Sequence, residues 1–106
     1  MPQNRKKYEI RATIFDKRGR VISKGCNSYI KTHPLQEKMS KIVGNPKAIF
    51  LHAEIAALVK LKDWDKAHKI LIERYDNEGN PKLAKPCEAC SLAITNANIK
   101  IIEYTK

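Results

Sequence analysis

One imidazole, one carboxylate and two thiols stand at spacings that suit a metal ion. His52 and Glu54 are separated only by Ala53, and further along the chain Pro86-Cys87-Glu88-Ala89-Cys90 places two cysteines three positions apart. Zinc bound by four protein ligands is structural; bound by three, with a position open for water, it is catalytic. His52, Cys87 and Cys90 supply three. Water on such an ion has its pKa lowered from 15.7 toward ~7, so hydroxide forms near neutral pH. A neighbouring carboxylate that is not a ligand, here Glu54, can then accept and return protons. Each half has a plainer reading, since a lone Cys-x-x-Cys or His-x-Glu is weak and Glu54 could be an ordinary acid at a helix start. For the two halves together the competitor is a structural zinc module that binds nucleic acid, which needs a fourth ligand from Cys26, His33 or His68.

The elements carrying these residues are constrained by the chemistry. In mid-helix His52 and Glu54 would point about 200° apart at 3.6 residues per turn. Both can face one metal only if His52 stands at the very start of a helix. A long helix is expected over 51–66, with Ile55, Leu58, Val59 and Leu61 apolar over a wide arc, and the strand-like run Ala48-Ile49-Phe50 leads into it. Its N-terminus then turns the positive end of its dipole on the site. Pro86 suits the first turn of a second helix. Cys87 and Cys90, at i and i+3, share one side of that turn, and Ala93, Ile94 and Ala97 continue it into the core. Asn96 and Asn98 read as helix stops.

The rest of the chain supplies a sheet. Tyr8, Ile10, Ala12 and Ile14 alternate with Glu9, Arg11 and Thr13, which is strand periodicity. Asp16-Lys17-Arg18-Gly19-Arg20 reads as a hairpin turn with Gly19 free to take positive φ, and residues 21–26 return as a second strand. Pro34 pushes His33 out of helical geometry. Leu35, Met39, Ile42 and Val43 fall at helical spacing, a short helix ended by Gly44-Asn45-Pro46. Trp64 is read as a core or helix-end anchor. A third strand is expected at 69–75 around Ile70-Leu71-Ile72, followed by a surface turn at 76–81. A fourth is expected at 99–104, with Ile99 and Ile101 on one face. The order β-β-α-β-α-β implies right-handed crossovers and partly parallel pairing. The expectation is a three-layer α/β sandwich on a mixed sheet of about four strands. Both helix starts would fall at one end of the sheet, where such folds place their sites.

At 106 residues, 42% hydrophobic and 30% charged, the chain fits one soluble globular domain, with residues 1–7 expected to be a flexible basic N-terminus. No apolar run approaches the ~20 residues of a membrane span, and no apolar segment follows the basic start as a secretory signal requires. The three cysteines cannot all pair, so a reducing, cytoplasmic location is expected. A net charge of +10 favours an anionic partner such as a nucleotide or nucleic acid. Because the cations are spread from Arg5-Lys6-Lys7 through Lys17-Arg18, Lys60 and Lys62 to Lys82 and Lys85, a merely well-solvated basic surface explains them equally well.

His-x-Glu followed by Pro-Cys-x-x-Cys resembles the zinc-dependent cytidine and deoxycytidylate deaminase superfamily, which also contains tRNA adenosine deaminases. The resemblance covers 25–104 in motif order. It implies a cytidine deaminase-like fold and a Zn2+ ion on His52, Cys87 and Cys90. It implies hydrolytic conversion of cytosine to uracil, with Glu54 moving protons from water to the ring nitrogen and the departing amine. Gly25-Cys26-Asn27 matches the family's Gly-x-Asn, whose asparagine bonds the substrate's sugar or base. Asn27 is thereby implied as a substrate-binding residue, although a turn asparagine is its plainer reading. Backbone groups at Ala53 and at Pro86-Cys87 are implied to hydrogen-bond the substrate. The family's segment before His-x-Glu lines the pocket mouth, which makes Lys31 and His33 candidates to meet a phosphate; a solvated loop is their plainer reading. The chain departs from the family in having only a short polar stretch before Tyr8 in place of a helix, and in stopping at Lys106 without the fifth strand that separates the branches. A bare sheet edge is expected to favour a homo-oligomer, or else to leave a groove open to a polynucleotide. The implied substrate is a free cytosine nucleoside or nucleotide, or cytosine in single-stranded DNA or RNA. An adenine deaminase of the tRNA type is the alternative that pocket shape would decide.

Overall fold

Alternation along the first strands sets which side of the sheet becomes the core. The computed structural model describes residues 9–28, 32–44 and 51–106; Tyr8, Lys31 and Ala48-Ile49-Phe50, all invoked above, lie outside them. In chain order the elements are β1 (Glu9–Phe15), β2 (Val21–Cys26), α1 (Pro34–Ile42), α2 (Ala53–Lys60), a 3-10 turn (Trp64–Lys66), β3 (Lys69–Tyr75), α3 (Glu88–Asn96) and β4 (Ile101–Tyr104). The sheet order is β2-β1-β3-β4. β1 pairs antiparallel with β2 and β3, and β4 runs parallel to β3, giving the mixed four-stranded α/β sheet expected.

Register stacks the apolar positions. Ala12 faces Gly25 and Ile72, and Ile14 faces Ser23 and Ile70. All six are buried, under helices that touch one another, with α2 lying on β1 and β2. The opposite face carries Arg11, Thr13, Lys24, Cys26, Leu71 and Glu73, exposed or half-buried. The described residues therefore account for two of the layers expected, a sheet and one helical layer.

The two hairpin-like turns have the same build. Asp16 and Asp76 each open a five-residue turn whose fourth position is glycine, Gly19 at φ 80° and Gly79 at φ 85°. In each, the aspartate Oδ1 accepts two backbone N–H groups at 2.9 Å, from Arg18 and Arg20 in one turn and from Glu78 and Asn80 in the other. Such short carboxylate-to-backbone bonds explain why aspartate leads these turns.

Element ends and order differ from the sequence expectation. The helix expected over 51–66 stops at Lys60. Leu61 turns extended (φ −69°, ψ 121°) and is buried, and the Trp64 indole donates to the Leu61 carbonyl at 3.0 Å. Burial of Leu61 thus outweighs helix propensity, and Trp64 is the helix-end anchor of the two roles considered. The short helix α1 makes the order β-β-α-α-β-α-β. The fourth strand begins at Ile101 rather than residue 99, because Ile99 belongs to the cap of α3. There Asn98 takes φ 61°, its N–H reaches the Thr95 carbonyl at 3.0 Å, and the Ile99 N–H reaches back to Ile94 at 3.4 Å. This is the Schellman arrangement, with Ile94 and Ile99 both buried. Ile99 is consequently buried while Ile101 is exposed, so the two do not share a face. None of the described helices is long and apolar enough to cross a membrane.

Candidate metal centre and active site

The starts of α2 and α3 meet at one end of the sheet. His52 is the N-cap of α2, in extended geometry (φ −84°, ψ 155°), so it escapes the helical phase that would have turned it away from Glu54. Its backbone N–H donates to Oε1 of Gln36 on α1 at 3.2 Å; the Gln36 amide in turn donates to Ser40 Oγ at 3.2 Å. Gln36 has no solvent exposure. Cys87 is the N-cap of α3, also extended, and Cys90 is buried in the first turn. Pro86 therefore stands one residue before the cap rather than inside the first turn, and its carbonyl accepts from Ser91 Oγ at 3.5 Å.

Close packing brings α2 this near the sheet. A Cβ at Gly25 would lie 2.6 Å from the Ala53 carbonyl oxygen and would also strike the Ala57 amide nitrogen. Ser23, two residues earlier on the same face, donates to the Ala57 carbonyl at 2.6 Å. Strand and helix thus meet backbone to backbone at Gly25.

His52 Nδ1 lies 3.2 Å from Cys90 Sγ and 3.5 Å from Cys87 Sγ. The three ligand atoms fall within 4.8 Å of one another. Zn–N near 2.0–2.1 Å and Zn–S near 2.3 Å in a tetrahedron imply N···S edges of about 3.6 Å, so the triangle fits a zinc ion with little adjustment. Imidazole with two soft sulfurs is a donor set that zinc favours. Among the described residues no further imidazole or thiol joins it. Cys26 is exposed on the opposite sheet face, His33 Nδ1 accepts the Leu35 N–H at 3.0 Å, and His68 precedes β3. From the start of β3 to the site at its other end is about 20 Å at 3.3 Å per residue.

Without metal, the sulfurs share protons unequally. A hydrogen bond from Cys90, helped by His52, lowers the Cys87 thiol to about 4. The same bond and burial push Cys90 up. The hydrogen bond to Cys87 raises His52 despite its burial. Glu54 is 5% exposed, and desolvation first of all holds its carboxyl above the usual range.

A cleft of about 370 Å³ opens onto this corner, with His52, Glu54 and Cys87 at its floor. Ile10, Leu51, Ile72 and Leu83 form apolar walls, and Asn27, Arg74 and Lys85 add polar groups. That volume suits a small molecule. Asn27 is fixed against β1: its Oδ1 accepts the Ile10 N–H at 3.0 Å and its own N–H donates to the Ile10 carbonyl at 3.1 Å. It is thus both a cleft residue and a strand tie, bonded across to Ile10. Ala53 is fully buried, and it and Pro86 flank cleft-lining neighbours without lining the cleft themselves. His33 caps α1 and is not in the wall. Sequence reasoning missed Gln36, Gly25 and Arg74. Of these only Gly25 carries a signal in the sequence, as the glycine of the Gly-x-Asn motif.

Comparison with family models matches residues 2–106 to the cytidine and deoxycytidylate deaminase zinc-binding region. No curated protein matches the chain.

Proposed function

The chain belongs to the cytidine and deoxycytidylate deaminase zinc-binding family, and from that membership we propose that it hydrolyses the exocyclic amine of cytosine to give uracil, in a nucleoside or nucleotide or in a single strand. The observation that carries the reading is Glu54, a buried acid lining the same cleft as His52 and Cys87 while standing outside the ligand triangle. Zinc held by His52, Cys87 and Cys90 would supply an acidified water in its open position. Glu54 would take the first proton of that water and pass it to the ring nitrogen as the water oxygen bonds the amine-bearing carbon. It would then carry the remaining hydroxyl proton to the amine, so that the C–N bond breaks, ammonia leaves and the oxygen becomes the carbonyl. Burial supports this part, because desolvation moves the Glu54 carboxyl up toward neutral pH, where one group can serve in turn as base and acid. In this reading Ile10 and Ile72 offer the base apolar walls, and Asn27, tied to β1 and lining the cleft, orients the sugar.

The test is to incubate zinc-loaded protein with cytidine, deoxycytidine monophosphate, a cytosine-bearing single strand and an adenine-bearing RNA loop. Mass spectrometry then scores the ~1 Da gain of amine-to-carbonyl exchange. Conversion of a cytosine substrate is expected, and conversion of adenine alone would replace the reading with its alternative. Glu54→Gln is expected to keep zinc and fold and to lose roughly 10²–10⁴-fold in rate; an unchanged rate removes Glu54 from the mechanism. A structural module would instead lose zinc when Cys26, His33 or His68 is replaced.

A further inference from the structure

We infer that Arg74 and Lys85 form an anion subsite in the cleft, so that this chain selects a cytosine substrate carrying a phosphate over the uncharged nucleoside. The inference rests on the deaminase reading above and deepens it. Ile70, Ile72 and Arg74 succeed one another on the helix-facing side of β3. The two isoleucines are buried, and the third position turns from apolar to cationic where it reaches the cleft. In register, Ile72 faces Ala12 and Arg74 faces Ile10, the residue to which Asn27 is tied. Two residues of strand advance about 6.6 Å. Arg74 therefore stands across Ile10 from Asn27, two strand spacings or about 10 Å away, and one step beyond Ile72 along β3.

The loop carrying Lys85 is built onto β3 at this point. The Lys82 N–H donates to the Arg74 carbonyl at 2.8 Å, and the Ala84 N–H donates to the Thr105 carbonyl at 2.9 Å. Thr105 Oγ1 accepts the Arg74 N–H at 3.1 Å and donates to the Lys82 carbonyl at 2.6 Å. Arg74 Nη1 donates to the Leu83 carbonyl at 3.4 Å, which ties the guanidinium to the same loop. Lys82 pairs with Asp76 at 3.7 Å and is absent from the wall. Among the described residues that line the cleft, Glu54 is the sole acid, and it lies at the floor with the ligands. Two cations lining one cleft have nothing to match in an uncharged nucleoside. A planar guanidinium and a point ammonium charge each match phosphate oxygens.

The test compares kcat/KM of zinc-loaded protein for deoxycytidine, deoxycytidine 5′-monophosphate and a short single strand with one cytosine. The two phosphate arms distinguish a terminal phosphate from a backbone one. A preference for either over deoxycytidine of roughly ten- to hundred-fold is expected, the size of a charge-assisted hydrogen bond. The ratio should fall at least about tenfold in Arg74→Met and by less in Lys85→Ala, with zinc content and circular dichroism checked in both. Equal rates on nucleoside and phosphorylated forms, or a preference that survives both substitutions, would overturn the subsite. Calorimetric binding of deoxyuridine and deoxyuridine 5′-monophosphate is measured alongside. Absence of all turnover would sink the deaminase reading, and the binding pair would still decide the subsite. Tighter binding of the monophosphate, lost in Arg74→Met, supports it, and equal binding refutes it.

Discussion

His52 can serve as the proposed ligand only while its backbone is held outside the helix, and Gln36 is a side chain that bonds it there. The amide sits with no solvent exposure between the His52 N–H and Ser40 Oγ, each at 3.2 Å. A buried polar group is retained where its hydrogen bonds are made, and stripping one partner leaves a desolvated donor worth about 1–3 kcal/mol. Gln36→Met keeps the side chain's bulk and removes that acceptor. The expected result is a loss of stability within that range, with zinc affinity about tenfold weaker, the low end of what outer partners of metal ligands contribute. Competition with a chromogenic chelator reads the affinity, and urea unfolding of the metal-free protein reads the stability. A drop in stability with no change in affinity would make Gln36 a packing residue and nothing more. The ligand triad is legible from residue type and spacing, since zinc chemistry demands it. Gln36 is not, because only the docking of α1 against the start of α2 reveals what its amide reaches.

Between elements, the contact that places the site is the backbone seam of β2 and α2. Gly25 leaves no side chain between them, and Ser23 fixes the sliding position through the Ala57 carbonyl. In Gly25→Ala the new methyl meets the Ala53 carbonyl at 2.6 Å. Neither backbone can retreat cheaply, so the helix must lift. Overpacking of this kind costs about 1–3 kcal/mol. Here it also shifts His52 and Glu54, which ride on the first turn of α2. We expect a lower urea midpoint together with weaker zinc binding; an unchanged midpoint would show that the seam is not tight. The same scale explains what the sequence reveals about elements. The alternation of Ala12 and Ile14 and the apolar run at Ile70 locate β1 and β3, because a half-buried sheet imposes a period of two. The Asp-x-x-Gly turns are readable because their bonds are local. The ends at Leu61 and Ile99 are not, since tertiary burial decides both: Leu61 leaves the helix to fill the core, and Ile99 closes the cap of α3.

At the scale of the molecule, the proposed metal is also a cross-link. His52 begins α2 and Cys87 begins α3, at 35 positions' separation in sequence, with β3 between them. The described helical layer covers one sheet face only, so α3 depends on its junction with α1 and α2 to stay in place. An ion that binds the folded triangle and not the open chain stabilises the fold by RT ln(1 + [L]/Kd), about 2.7 kcal/mol when free zinc is a hundredfold above Kd. For a domain of this length, each kcal/mol moves Tm by about 4 °C or more. Stripping zinc with a chelator should therefore lower Tm by about 10 °C, and adding zinc back should restore it. Glu54→Gln should show the same shift, because Glu54 is outside the ligand set, whereas Cys90→Ser should show little of it. If Glu54→Gln lost the zinc-dependent shift as fully as Cys90→Ser, the acid would be a fourth ligand, the open position would be filled, and the hydrolytic mechanism would have nowhere to hold its water.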